Sequence, residues 1–333
     1  MLTKPWLLLP SHWLYSLSPI VLKFYSHINS DQPYKWKTVK WRNLSFPNPL
    51  GIAGGLDKNA TYIKDYWKLG AGFVEVGTVT PKAQHSNPHK ILDRSVKHLS
   101  LWNNMGFPNR GLDFVKNRLE ILFEESNEGK KILSPIFINI GKNRDTPISQ
   151  AVEDYKKSME ALYPFASAFV INISSPNTKD LRELFKEKNL YHFLNTLHEL
   201  RLSLKINRPL ILKLSPDEDN FMQIIEQSLS VGIDGWCICN STIKRPVKNI
   251  FPEDRGGLSG RLLGETSLGL LKQLKAYLEK NQIKDKLVIS CGGVLTAQDV
   301  LERLNLGADL VQVYSALVFK GFGFFKSVYK ELA

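Results

Sequence analysis

Phe169-Val-Ile-Asn-Ile-Ser-Ser-Pro-Asn-Thr178 is the stretch from which the rest of the chain is best read. Phe169–Ile171 is a short apolar run of the kind found in a buried strand, and the Ser175-Pro176 step ends it, because the residue before a proline is pushed away from regular continuation. Two asparagine amides (Asn172, Asn177), two serine hydroxyls and the Thr178 hydroxyl then crowd one strand exit. An amide donates and accepts, so this set suits a neutral polar ring better than a bare phosphate. The same residue types also build ordinary capped turns. The surrounding pattern has to decide.

Working outward, β-rich apolar runs recur on both sides of this one. The pattern predicts strands at Leu50–Gly54, Phe73–Thr78, Ile136–Ile140, Phe169–Ile173, Leu210–Leu214, Gly235–Cys239, Leu287–Cys291 and Leu310–Tyr314. Helical spacing separates most of them, at Ala151–Leu162, Tyr191–Leu204, Phe221–Ser230, Ser267–Leu278 and Ala297–Leu304. Continuous rather than alternating apolar strands, each followed by a helix, indicate a parallel sheet covered by helices. Eight such units predict an α/β fold, a (β/α)₈ TIM barrel with an N-terminal helical extension. Residues 1–40 form the extension and 41–333 the barrel. A doubly wound open sheet is the alternative, but it would more usually carry Gly-x-Gly-x-x-Gly after the first strand, where this chain has Gly54-Gly55-Leu-Asp-Lys58.

Bulk properties narrow the function. The chain has 333 residues, enough for a barrel of about 250 residues plus an extension. Its three cysteines, Cys237, Cys239 and Cys291, all sit in apolar runs, which argues for a reducing compartment and against a disulfide framework. Cys237-Ile-Cys239 has no second pair, so no metal site is expected. A net charge of +12 attracts anions, but the basic residues form no long block, and no nucleic-acid partner is expected. No apolar run approaches the roughly 20 residues of a membrane span.

In a barrel, chemistry gathers where strands exit. The distinctive residues fall there: Gly54, Gly55 and Lys58 after the first strand, Thr78 after the second, Asn139 closing the third, Lys213 ending the fifth. Cys239-Asn240-Ser241 follows the sixth, Gly292-Gly293 the seventh, Tyr314-Ser315 the eighth. Two long polar loops, Pro81–Gly111 with Asn103-Asn-Met-Gly-Phe107 and Thr242–Leu262 with Gly260, add to the rim. Glycine-rich exits free backbone N–H groups for a phosphate. Lys213 lies inside an apolar strand, where an uncompensated ammonium is costly, so an anion is expected to meet it; a reduced flavin would serve. Lys58 invites a substrate carboxylate in the same way. The asparagines at 103, 172, 177 and 240 remain for a ring with alternating N–H and C=O groups. No histidine lies in the strand-exit motifs and no Gly-x-Ser-x-Gly elbow is present, so a serine-hydrolase triad is unsupported and Ser175 would have to act as a base in a closed site.

Gly55-Leu-Asp-Lys58, Val76-Gly-Thr-Val-Thr-Pro81, Met105-Gly-Phe107, Ile138-Asn-Ile-Gly-Lys-Asn143, Asn172–Thr178, Gly256–Gly260 and Val311-Gln-Val-Tyr-Ser315 together resemble dihydroorotate dehydrogenase, in family order across most of residues 45–333. Serine at 175 is similar to the quinone-dependent class 2 members; class 1 carries cysteine there. The resemblance implies an FMN enzyme that oxidises dihydroorotate to orotate in pyrimidine synthesis and passes electrons to a membrane quinone. It implies Ser175 as the base for the C5 proton, with Thr178 and Phe107 shaping the proton's exit. Lys58, Asn103, Asn104, Met105, Gly106, Phe107, Asn172, Asn177, Asn240 and Ser241 would hold substrate. Gly54, Gly55, Lys58, Thr78, Asn139, Asn172, Lys213, Cys239, Gly260, Gly293, Tyr314 and Ser315 would hold FMN, and Arg94 would stand near the quinone head. Asn104 replaces the family's usual arginine, and Cys239 and Ser241 stand where threonines are common; altered affinity, not lost activity, is the expected consequence.

Ser18-Pro19 reads as a cap and first turn, with Leu17, Ile20, Val21 and Phe24 around it at helical spacing; Pro10-Ser11 would start a shorter helix upstream. Trp6, Trp13, Tyr15 and Tyr25 suit a membrane interface, though a helical pair docked on the barrel fits the same pattern. With no transit peptide or span read in the sequence, the expected location is the bacterial inner membrane, peripheral, on the cytoplasmic side. Two other functions stay open: a flavin-dependent tRNA dihydrouridine synthase, which would need an added RNA-binding domain, and a membrane- or RNA-binding protein on an inactive barrel.

Overall fold

The computed structural model describes residues 4–29, 32–127, 132–205 and 208–333. Met1–Thr3 and residues 30–31 of the expected N-terminal extension lie outside the described residues.

Eight parallel strands close into a barrel in chain order: Leu50–Asp57, Val74–Val79, Ile136–Ile140, Ala168–Asn172, Leu210–Lys213, Gly235–Ile238, Leu287–Cys291 and Leu310–Val313. Closure is made by the last strand on the first, with Val311 opposite Leu50 and Gln312 opposite Gly51. Every strand sits where the apolar runs predict it, with ends displaced by a few residues. Helices at Ala151–Leu162 and Phe221–Ser230 match their expected bounds; Glu187–Ser203 starts earlier than Tyr191–Leu204 and ends one residue short of it, and Gly264–Lys280 and Ala297–Asn305 bracket theirs. The last of these begins in a capping box, Thr296 with Asp299, which satisfies two of the amides a helix start leaves free.

Strand parity sorts the barrel into layers. Side chains two apart share a face, so Phe73 and Phe137 point inward with Ala168 and Leu287 at the bottom of the lumen. A hairpin of Val39–Trp41 and Leu44–Phe46 plugs that end, Phe46 meeting the Phe73 and Phe137 rings edge-on at 5.8 and 6.0 Å. The floor is therefore dry, and chemistry is left to the opposite rim.

Two expectations are corrected. The segments Pro81–Gly111 and Thr242–Leu262, read as loops, carry strands Leu92–Ser95, Ser100–Asn103 and Gly257–Gly260, which pair into an antiparallel sheet. Leu92–Ser95 and Ser100–Asn103 form a local hairpin, whereas Gly257–Gly260 joins it from a distant part of the chain, a pairing that leaves no local signal. At the N-terminus, Ser18-Pro19 starts no helix. One helix runs from Ser11 to His27 with Pro19 inside it, after a 3₁₀ turn at Pro5–Leu8. Proline removes the donor that would have bonded the Tyr15 carbonyl; the Ser18 hydroxyl takes that acceptor instead, at 2.9 Å, so the helix continues.

Candidate active site

One layer above the aromatic floor, inward parity places Glu75, Asn139, Lys213 and Gln312 at similar heights. Lys213 Nζ and Asn139 Nδ2 donate to Glu75 Oε1 at 2.9 and 2.6 Å, and Gln312 Nε2 donates to Oε2 at 2.5 Å. Glu75 is fully buried. An anion does meet Lys213, as expected, and it is the chain's own Glu75 rather than the reduced flavin offered as one candidate. Burial opposes the Lys213 ammonium, but the adjoining Glu75 carboxylate outweighs it and holds the amine well above its ordinary value. Glu75 and Gln312 were missed in the sequence. Their signal was present: each shares parity with inward apolar neighbours inside a strand, where a polar side chain needs a partner. Gly54 is required beside this cluster, since a Cβ there would lie 2.3 Å from Glu75 Oε1.

The next layer is a web of amides. Asn172 Nδ2 donates to Thr78 Oγ1 (2.9 Å) and Asn139 Oδ1 (3.2 Å), while its Oδ1 accepts from Ser174 Oγ (3.0 Å) and Asn240 Nδ2 (3.3 Å). Tyr155 OH, from the Ala151–Leu162 helix, donates to the Asn172 carbonyl at 2.9 Å and fixes the strand end. Arg182 ties the fourth and fifth exits together, donating to the Ser174 carbonyl (3.1 Å) and pairing with Asp217 (2.9 Å). At the mouth, Asn177 Nδ2 donates to Asn103 Oδ1 (2.8 Å), and the Asn177 amide to Ser175 Oγ (3.2 Å).

These groups surround a cavity of about 150 Å³, lined by Gly54, Gly55, Lys58, Thr78, Asn103, Met105, Gly106, Phe107, Asn172, Ser175, Asn177, Lys213, Cys239, Asn240, Ser241, Gly260, Gly293, Tyr314 and Ser315, all expected from the sequence. Asn139 and Thr178 stand just behind the wall, and the Asn104 side chain points away, to Asn87. No carboxylate is among the lining residues, whereas two lysines are. Two buried atoms, Asn177 Oδ1 and Thr178 Oγ1, have no partner there.

Gly55, Lys58 and Tyr314 are shared with a second cavity of about 720 Å³. The inner space alone falls below the roughly 300–1,000 Å³ of ordinary ligand pockets, whereas the outer cavity lies within that range by itself. The outer cavity lies between the barrel and the N-terminal helix: Leu14, Tyr15, Val21 and Leu22 form one wall, Arg94 and the C-terminal residues Phe324 and Val328 the other. Arg94 donates to the carbonyls of Leu7 (3.1 Å) and Leu9, clasping the N-terminal segment. Lys58 Nζ donates to the Gly55 carbonyl at 2.6 Å and lies 5.2 Å from the Tyr15 ring centre. Burial works against its charge, yet Tyr314, Tyr15 and Asp57 raise its pKa above the ordinary value.

A closed parallel barrel with a polar, carboxylate-free site at its C-terminal rim defines a (β/α)₈-barrel enzyme. The profile described as Dihydroorotate dehydrogenase matches residues 37–333, and the chain belongs to that family. Relatives named dihydroorotate dehydrogenase (quinone) include one from Christiangramia forsetii, 39% identical over 87% of this chain and 82% of the relative. Another, from Thermus thermophilus, is 40% identical over 84% and 77%. Within the family the chain falls in the quinone-dependent class 2. Among solved structures, the Eimeria tenella enzyme in complex with ferulenol superposes with a TM-score of 0.83, 30% identity and coverage of 96% of this chain and 93% of that one.

Proposed function

We propose that the chain oxidises dihydroorotate to orotate at the inner cavity and delivers the electrons to a membrane quinone that enters through the outer one. The observation that carries this reading is the convergence of Ser175 and four asparagines on one small cavity that two lysines also line. Lys58 offers its ammonium to the substrate carboxylate. Asn103, Asn172, Asn177 and Asn240 match the alternating donors and acceptors of the pyrimidine ring, and the unpartnered Asn177 Oδ1 is one acceptor left over for it. Ser175 takes the C5 proton; the buried, unpartnered Thr178 hydroxyl is suited to pass that proton outward.

FMN, when bound, supplies the acceptor for the C6 hydride. The residues present fit it: Gly260, Gly293 and Ser315 offer backbone amides to a phosphate in a wall without carboxylates, Thr78 and Lys213 offer polar groups to the ring edge, and Asn139 braces Asn172 from behind the wall. The Glu75 carboxylate neutralises Lys213, so that amine presents a hydrogen bond held in place rather than a free charge.

The N-terminal residues 1–40 serve as the quinone-access segment, with 41–333 as the catalytic barrel. Trp13, Ile20, Phe24 and Ile28 are 57, 67, 70 and 66% exposed, which favours peripheral attachment to a bilayer. Among the described residues no helix is long and apolar enough to cross a membrane. A bacterial inner membrane, approached from the cytoplasmic side, is the proposed setting. Anaerobic addition of dihydroorotate to the purified protein should bleach a bound flavin, and quinone, rather than fumarate or NAD, should restore the colour. No bleaching, or equal recovery with fumarate, would overturn the assignment.

A further inference from the structure

The loop leaving the second barrel strand carries an asparagine, Asn87, that lines neither cavity yet touches both segments that do. We infer that Asn87 is a positioning residue for the substrate amides, an inference that rests on the proposed function. Its Nδ2 donates to Asn104 Oδ1 at 3.0 Å and to the Asn177 carbonyl at 2.9 Å, and its backbone amide donates to the Met105 carbonyl at 2.9 Å. Asn177 in turn donates to Asn103. One side chain therefore couples the Asn103–Phe107 segment to the segment after the fourth strand.

The coupling meets a local need. Gly106 and Phe107 are both left-handed, at φ 68° and 55°, and a non-glycine residue there is held by its surroundings rather than by its own preference. A Cβ at residue 106 would lie 2.3 Å from Asn87 Oδ1, so the loop packs directly on this amide. The interaction is a donor contact to two acceptors, and an asparagine at 104 makes it work: an arginine in that place has no acceptor to offer.

The test uses the full-length, flavin-loaded enzyme with Asn87→Ala, Asn87→Asp and Asn104→Ala, measuring kcat, KM for dihydroorotate, KM for quinone and the melting temperature. Loss of the donor predicts a KM for dihydroorotate raised roughly five- to tenfold in Asn87→Ala. Asn87→Asp should be at least as impaired, since it turns an acceptor toward two acceptors, and the KM for quinone should not move. If Asn87→Asp behaves as the parent, the side chain only fills space and the inference fails. It also fails if both KM values rise together, or if only the melting temperature falls. Should the Asn87 variants not fold, Asn104→Ala carries the decision: a several-fold rise in KM for dihydroorotate supports the coupling and an unchanged KM refutes it. A parent enzyme that dihydroorotate cannot reduce would sink the proposed function instead, before any variant is made.

Discussion

Ser175 is 5% exposed, in a pocket wall with no histidine beside it, so in the proposed role of base it would draw on the closed site and not on a neighbouring base. Ser175→Ala is expected to slow flavin reduction by dihydroorotate by about 10²–10⁴-fold, the usual contribution of a positioned base, with orotate still bound; rapid-mixing absorbance measures it. The Glu75–Lys213 pair makes a different prediction. Glu75→Gln keeps the shape but strands a buried ammonium, and should cost about 3–5 kcal/mol in denaturant unfolding. The pH dependence has a definite sign. In the parent the folded Lys213 pKa is raised, so the pair's contribution is complete below the ordinary value of 10.5 and fades only as pH climbs above it. In the variant the Glu75 attraction is gone and burial, the largest influence on Lys213, pulls the pKa down, so stability should rise with pH toward 10.5.

The N-terminal helix Ser11–His27 carries apolar residues on a buried side and on an exposed one. Leu22 is buried against the barrel, and the Ser26 hydroxyl donates to Asp65 Oδ1 at 2.5 Å, while Ile20 and Phe24 face outward. In the proposed peripheral attachment, the exposed side is the one that would enter the bilayer. Ile20→Asp combined with Phe24→Asp should abolish sedimentation with lipid vesicles and lower turnover with long-chain quinone. Turnover with a short, water-soluble quinone should be kept, because the inner cavity is untouched. Equal loss with both acceptors would show that the helix holds the catalytic site rather than the membrane.

Across the molecule, the net charge of +12 has no block to concentrate it, so it acts as a diffuse field toward an anionic surface. Binding to vesicles rich in anionic lipid should weaken several-fold between about 50 mM and about 500 mM salt, as the Debye length shrinks to a few ångströms, whereas binding to neutral vesicles should hardly change. Vesicle sedimentation across a salt series checks this.

Eight barrel strands and the polar strand exits were legible from residues alone, because period, breakers and strand-exit chemistry are local properties written in order along the chain; much of the remaining cavity lining came from the family resemblance. The same locality explains what was not. Glu75 looked like one polar residue in an apolar run, and only the closing of the sheet set it opposite Lys213, Asn139 and Gln312. The antiparallel sheet walling the site joins Trp102 to Leu258, and the passage of a helix through Pro19 depended on a hydroxyl reaching back for a carbonyl. Asn87 carried no motif at all. Composition and periodicity chose the barrel and its working rim; which buried charges neutralise each other, and which distant loops brace the site, followed from three-dimensional proximity, since desolvation and hydrogen bonding act through space and not along the sequence.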